Sequence, residues 1–240
     1  TALDGVTTMP VAHHVYPESY AAEAPEITRT IEVMEWMADK IGEYPFLAEK
    51  YVTATWAHSS GLEHQTCTSM PNNNLNTPYH RRNIHELAHM WFGVCVGNET
   101  YDHVWLSEGW ASYVEALWLE HKNGPAAAET RMNTYRSSSH DNYPIVSSSG
   151  DLFEVGAVYY KAAWVLHMLR HVVGDTVFFQ SARNFLADPA LRYGTAVSAD
   201  FQNHVEAVYG QDLDWFFDQW LLRASRPSYL WSWAARQEGG

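Results

Sequence analysis

The apolar residues between positions 84 and 97 recur at helical spacing. They lie three and four residues apart and predict one buried stripe of a helix: Ile84, Leu87, Ala88, Trp91, Phe92 and Cys95. We expect this helix to end at Gly97. His85 and His89 are four residues apart, so both imidazoles leave the same face of the helix, one turn apart.

A second amphipathic helix is predicted to begin near Glu108 and to end where Gly124 and Pro125 follow a cationic last turn. Packed antiparallel to the first helix, it would bring Glu108 beside the two imidazoles. A catalytic zinc ion takes three protein ligands and keeps a fourth position open. The sequence therefore predicts one Zn²⁺ per chain, bound by His85, His89 and Glu108.

Two further glutamates have positions that suggest roles around the predicted metal. Glu86 lies about 100° further round the helix than His85, where it can flank the metal as a general base without binding it. Glu115 lies seven residues after Glu108, two turns along the same face. It could accept a hydrogen bond from the outer N–H of a ligating histidine. The alternative for each of these residues is an ordinary solvated helix surface.

The remaining periodicity predicts an α+β chain, with strand signals in the first part and helices in the second. Residues 1–20 are read as loop or edge strand, and residues 50–56 as a strand. Helices are predicted over 25–41, 125–137, 156–173, 175–188, 199–209 and 213–222. We divide the chain into a strand-containing lobe (1–80), a helical lobe (81–225) and a tail or start of a following module (226–240).

Composition excludes several classes of partner. The net charge of −13 argues against nucleic acid and anionic membranes, and it hints at a cleft for cationic substrates. Two cysteines provide no disulfide framework, and Cys95 is expected to be a buried free thiol. There is no apolar run long enough to span a membrane, and the N-terminus does not resemble a signal peptide, which favours a cytoplasmic location. The missing initiator Met suggests a piece of a longer protein.

Four stretches together resemble a known enzyme family. They are HELAH followed after eighteen residues by Glu108 within WLSEGWASY, SSGLEHQT before the first helix, VYYKAAWVLHMLR, and FFDQWL with RPSYLWSW near the end. This pattern resembles the gluzincin zinc aminopeptidases of the aminopeptidase N family, in a bacterial form. The resemblance runs over nearly the whole chain. It implies a thermolysin-like catalytic domain, with a small mixed sheet lobe, a helical lobe and the zinc site between them.

The resemblance also assigns roles to residues. It implies that the zinc ligands are the three already named and that Glu86 is the base. It further implies that Glu63 binds the free α-ammonium of a peptide substrate and that Tyr159 stabilises the tetrahedral intermediate. A one-residue shift would nominate Tyr160 instead, but Tyr159 keeps the two-residue spacing to Lys161. The expected partners are peptides with a free N-terminus and, in a longer chain, neighbouring domains.

The sequence departs from the family pattern at three positions: Leu62 replaces Met, His64 replaces Asn as in many bacterial members, and Ala162 replaces Gly. The family's N-terminal β domain and C-terminal helical domain are not visible in this chain. Three alternatives stay open: a thermolysin-like endopeptidase, an inactive zinc domain that binds peptides, and an epoxide-hydrolase side activity as in the leukotriene-hydrolase branch.

Overall fold

The computed structural model describes residues 2–71, 79–136, 143–146, 156–224 and 230–234. Short strands and helices alternate at first, and helices then dominate. The strands are β1 (Val11–His14), β2 (Tyr51–Trp56), β3 (Cys67–Pro71), β4 (Val96–Asn98) and β5 (Gly194–Ala196). The helices are α1 (Tyr20–Ile41), α2 (Tyr79–Ala88), α3 (Trp105–Asn123), α4 (Pro125–Arg136), α5 (Ala162–Val173), α6 (Asp175–Ala187), α7 (Ser198–Tyr209) and α8 (Asp214–Phe217). This arrangement confirms the α+β class.

The first lobe contains a three-stranded sheet in the order β1-β2-β3, whose two ladders are parallel. The strand predicted over 50–56 is present as β2, and β1 forms an edge as expected. β3 was not predicted, because its polar CTSMP sequence lacks a strand pattern. Leu62 forms an antiparallel bridge with Ser69, which ties the loop after β2 to β3. This bridge gives the small sheet its mixed character.

Helix α1 begins five residues before Pro25, so the predicted start at this proline is wrong. Proline removes one backbone hydrogen bond, but its φ is compatible with a helix, and here the helix continues through it. The predicted end is confirmed, because Gly42 follows the helix with a φ of 127°.

Helix α2 ends at Ala88, so the helix predicted to run to Gly97 is too long. Gly93 has a φ of 121°, a conformation that suits glycine and interrupts a right-handed helix. Backbone hydrogen bonds from residue i to residue i−5 replace the i to i−4 bonds of the helix here, such as Val94 N–H to His89 O at 3.0 Å. Gly97 instead lies in β4, which pairs in parallel with β5. The six apolar residues of the stripe are nevertheless all buried in the hydrophobic core, although the last three lie beyond the end of α2.

Helix α3 begins at Trp105, slightly before the predicted start, and ends at Asn123 as expected. Every residue from Trp105 to Trp118 is buried. The helix therefore forms the centre of the helical lobe, with α2, α4 and α5 packed against it.

The later helices lie close to their predicted bounds. The helix predicted over 156–173 is present, but Gly156–Lys161 is a π-helix that leads into α5. Ser198 is the first residue of α7 rather than its cap, and Asp200 instead accepts the N–H of Val197 at 2.8 Å. A π-helix, Asp218–Leu222, continues α8.

The remaining predictions concern the loop over 137–152, the C-terminal tail, the two cysteines and membrane-spanning helices. The predicted loop over 137–152 lies largely outside the described residues. Residues 230–234 have no strand, so the strand start expected in the tail is not found there. Both cysteines are free, and Cys95 is buried as predicted. Among the described helices, none has the length and apolarity that crossing a membrane would require.

Candidate active site

Three side chains converge between α2 and α3. The Nε2 atoms of His85 and His89 lie 3.2 and 3.3 Å from Oε2 of Glu108. The ligand atoms of this trio all lie within 4.8 Å of one another. The structure therefore brings together the three residues that the sequence singled out. Glu108 belongs to the first turn of α3, where its carboxylate can face the end of α2.

The His89 ring is held on its outer side by the turn that ends α2. Its Nδ1 lies 3.1 Å from the Phe92 carbonyl oxygen and 2.9 Å from Oγ of Ser107. Since a carbonyl only accepts, Nδ1 donates in this pair, and Nε2 is the ring nitrogen that faces Glu108. A Cβ on Gly93 would lie 2.3 Å from Oγ of Ser107, so glycine is needed beside this contact.

The His85 ring is held by Glu115. Nδ1 of His85 lies 3.1 Å from Oε1 of Glu115, which is buried in the middle of α3. A carboxylate only accepts, so the imidazole donates from Nδ1 to Glu115, and its Nε2 faces Glu108. Glu115 therefore occupies the position of an outer partner that orients a metal-binding histidine.

At this cluster, charge interactions and hydrogen bonds shift the pKa values further than burial does. Burial alone would raise the pKa of the Glu108 carboxyl, but the imidazoles of His89 and His85 hold that pKa well below its ordinary value. Burial would likewise lower the histidine pKa values, yet hydrogen bonds and charge from Glu108 raise both. Two imidazoles and one buried carboxylate whose ligand atoms converge form a donor set that fits Zn²⁺.

Glu86 lies beside the trio and points toward the loop after β2. Its side chain is buried, and this burial raises the pKa of its carboxyl, although the nearby histidines oppose the shift. A Cβ on Gly61 would lie 2.1 Å from Oε1 of Glu86, so the backbone of this loop touches the carboxylate. Ligand atoms of Glu63, Glu86 and His89 lie within 4.8 Å of one another. The loop therefore brings Glu63 to the cluster.

The two candidate tyrosines have different neighbours. The Tyr159 ring is stacked against His85, with ring centroids 6.0 Å apart and planes at 13°. Burial, the charge of Glu108 and a hydrogen bond to Glu108 together raise the pKa of the Tyr159 hydroxyl. Tyr160 instead stacks on Tyr135 of α4, with centroids 4.7 Å apart. Tyr159 thus contacts His85 and Glu108 of the cluster.

Sequence reasoning missed several residues that shape the site. Gly61 and Gly93 allow close approaches that no local pattern announces. Ser107 immediately precedes Glu108, which is the one signal that could have identified it. Arg131 of α4 donates a hydrogen bond to Glu115 at 2.5 Å. The two residues are sixteen positions apart, and nothing in the local sequence indicates this contact.

Comparisons with known proteins agree with this arrangement. A model of the "Peptidase family M1 domain" matches residues 26–220. Aminopeptidase N of Streptomyces lividans is 31% identical over 180 residues, which is 65% of this chain and 21% of that protein.

Solved structures are similar as well. The M1 zinc metallopeptidase of Deinococcus radiodurans has a TM-score of 0.71 and 26% identity, over 85% of this chain and 45% of that one. A mutant of it bound to a Tyr-Ser-Ala substrate has a TM-score of 0.70 at 26% identity, over 89% of this chain and 46% of that one. Yeast LTA4 hydrolase, at 18% identity, shares the fold with a TM-score of 0.74, over 91% of this chain and 39% of that one. The chain thus spans about a fifth of its first curated relative and less than half of these structures.

Proposed function

Because the chain belongs to peptidase family M1, we propose that it is the catalytic part of a zinc aminopeptidase, which removes N-terminal amino acids from peptides. The observation that carries this proposal is the convergence of His85, His89 and Glu108 within ligand range, with Glu86 and Glu63 beside them. The Nδ1 atoms of His85 and His89, which face away from the cluster, both have hydrogen-bond partners, as expected for metal-binding histidines.

His85, His89 and Glu108 would hold the zinc ion. When bound, zinc supplies Lewis-acid chemistry, since it acidifies water near neutral pH and polarises a carbonyl oxygen. The two imidazoles would have to release the protons on Nε2 to bind it, so we expect binding to weaken at acid pH.

Glu86 is proposed as the general base. Its carboxylate would accept a proton from the attacking water and deliver it to the nitrogen of the leaving amine. Burial raises its pKa, which makes it a stronger base than an exposed glutamate. Its contact with the backbone at Gly61 holds the carboxylate in place.

Tyr159 is proposed to donate a hydrogen bond to the substrate oxygen that gains negative charge. Its raised pKa keeps the hydroxyl protonated and able to donate at neutral pH. The stacking on His85 supports Tyr159 over Tyr160 for this role, because the Tyr160 ring stacks on Tyr135 of α4.

Glu63 is proposed to bind the α-ammonium of the substrate. A charge-assisted contact between this carboxylate and a free N-terminus would fix which peptide bond is cleaved.

An endopeptidase with the same zinc chemistry would not need this contact. A peptide-binding module would need neither Glu86 nor Tyr159. Neighbouring domains of a longer protein are proposed as partners, since the relatives extend well beyond the matched region.

A pair of chromogenic substrates tests the proposal. The zinc-loaded chain should hydrolyse aminoacyl p-nitroanilides and should leave their N-acetylated forms intact. Glu63→Gln should raise KM for the free-amine substrate, whereas Glu99→Gln, an exposed control, should change nothing. Equal cleavage of the acetylated substrate would reject the aminopeptidase function in favour of endopeptidase chemistry. Zinc binding with no cleavage of either substrate would favour the binding module.

A further inference from the structure

Glu115 is held from the side opposite His85 by residues of α4. Arg131 donates from Nη2 to Oε2 of Glu115 at 2.5 Å, and the Tyr135 hydroxyl lies 3.2 Å from the same oxygen. Arg81 adds a weaker ion pair at 3.6 Å. One carboxylate oxygen thus faces His85, while the other lies beside Arg131, Arg81 of α2 and the Tyr135 hydroxyl, whose single proton is shared with the Ser112 carbonyl oxygen. The carboxylate cannot rotate without breaking contacts on both sides.

Arg131 and Tyr135 also hold each other in position. Nε of Arg131 donates to the Tyr135 hydroxyl at 3.0 Å, and the guanidinium lies over the Tyr135 ring, 4.4 Å from its centroid. The Arg131 side chain is only 13% exposed, so its charge is shielded from water. A largely covered guanidinium with partners on two sides loses less freedom when it pairs with a carboxylate than an exposed cation does.

Tyr135 connects this group to the other side of the cluster. Its hydroxyl reaches the Ser112 carbonyl oxygen of α3 at 3.1 Å. Its ring stacks on Tyr160, which directly follows Tyr159 in the π-helix Gly156–Lys161. One residue of α4 therefore contacts both the helix that carries Glu115 and the segment that carries Tyr159.

We propose that Arg131 and Tyr135 are positioning residues, which act through Glu115 to orient His85 for the metal. This inference rests on the proposed zinc function. The His85 ring is held by Glu115 at Nδ1 and by Tyr159 on its face. Helix α4 contacts Glu115 directly and packs against the π-helix that carries Tyr159. Loss of either residue of α4 should therefore weaken zinc binding, although neither lies within ligand range of the cluster.

Zinc affinity measured by competition with a chelator tests the inference on the full chain. Arg131→Met should weaken binding by about 10- to 100-fold, the range found when an outer partner of a metal ligand is lost. Arg136→Met is the matched control, because Arg136 is exposed on the same helix, and its affinity should equal wild type. Tyr135→Phe, which keeps the ring on Tyr160, should weaken binding by a smaller factor.

A double-mutant cycle separates positioning from a general loss of structure. Arg131→Met should cost far less zinc affinity in a Glu115→Gln background than in wild type, because its effect passes through Glu115. Additive losses would overturn the inference, as would an unchanged affinity in Arg131→Met. If Arg131→Met fails to fold, as judged by thermal unfolding of the metal-free chain, Arg131→Lys replaces it in the same cycle. A wild-type chain that binds no zinc would instead reject the proposed function itself.

Discussion

At the scale of single residues, each imidazole of the site is bonded through both of its nitrogens. His85 meets Glu108 and Glu115, while His89 meets Glu108 and the Phe92 carbonyl. These contacts fix the orientation of both rings before any ligand arrives and lower the cost of organising the site. The spacing of His85, His89 and Glu108 predicted the convergence, because residues four apart share a helix face.

Replacing Glu86 by Gln should remove catalysis and leave zinc bound. Glutamine has nearly the same shape but cannot accept the proton, so kcat should fall by about 10²- to 10⁴-fold. Steady-state kinetics together with metal analysis of the same sample check this. If Glu86→Gln turned over at the wild-type rate, another group would have to be the base.

Replacing Tyr159 by Phe should lower kcat by about 10²- to 10³-fold with little change in KM, because the hydrogen bond is made mainly in the transition state. Tyr160→Phe is the matched control and should keep most of the activity, since its ring stacks on Tyr135 through the same atoms. The opposite ranking of the two variants would transfer the role to Tyr160.

At the scale of elements, the sequence predicted which segments are helices better than where they end. Helix α2 ends at Ala88 because the chain must turn at Gly93 to pair β4 with β5, a contact between segments about 100 positions apart. The apolar stripe does not encode that long-range pairing. β3 was missed for a related reason, since its short polar sequence is a strand only beside β2. The outer contacts of Arg131 and Tyr135 depend likewise on how α4 packs.

The packing of α3 on α5 gives a prediction about stability. A Cβ on Gly109 would lie 2.6 Å from Cβ of Ala162, closer than two methyl groups can approach. Gly109→Ala should therefore destabilise the fold by about 1–3 kcal/mol, measured by denaturant unfolding. Adding Ala162→Gly should recover part of that loss, because it removes the opposing methyl group. If Gly109→Ala were as stable as wild type, α3 and α5 could move apart at no cost in the free energy of unfolding, and the prediction would be wrong.

At the scale of the whole molecule, the site lies where α2, α3, the loop after β2 and the π-helix Gly156–Lys161 meet. The family pattern predicted this α+β arrangement, because its motifs mark one residue or more on each of those segments. Composition and periodicity alone gave only the fold class and the helix pair. The contacts among the segments depend on tertiary packing, which no single stretch of sequence contains.

A part-buried polar contact between β1, α1 and α2 predicts how stability depends on pH. His13 of β1 lies 3.2 Å from the Thr30 hydroxyl of α1, which also accepts from Asn83 of α2 at 2.6 Å. Burial, with help from the charge of His14, lowers the pKa of His13 to about 4 from its ordinary 6.5. Between those values the unfolded chain binds a proton that the folded chain does not. The contribution of His13 to the free energy of unfolding should therefore fall as pH falls from about 6.5 to about 4.

Thermal unfolding of the metal-free chain and of His13→Gln across this pH window checks the prediction. The variant should lose less stability than wild type on acidification, by about 1 kcal/mol after allowance for solvent screening of a part-buried group. Parallel curves for the two proteins would show that His13 does not titrate in this way.

The central claim is that His85, His89 and Glu108 bind one zinc ion. Metal analysis after reconstitution and dialysis, with affinity from chelator competition, tests it most directly. Wild type should retain one zinc per chain, and Glu108→Gln should bind at least about 100-fold more weakly, because a ligand matters more than the outer partners, whose loss costs about 10- to 100-fold. Glu129→Gln, exposed on α4, should match wild type. A wild-type chain without zinc, or Glu108→Gln with unchanged affinity, would contradict the account.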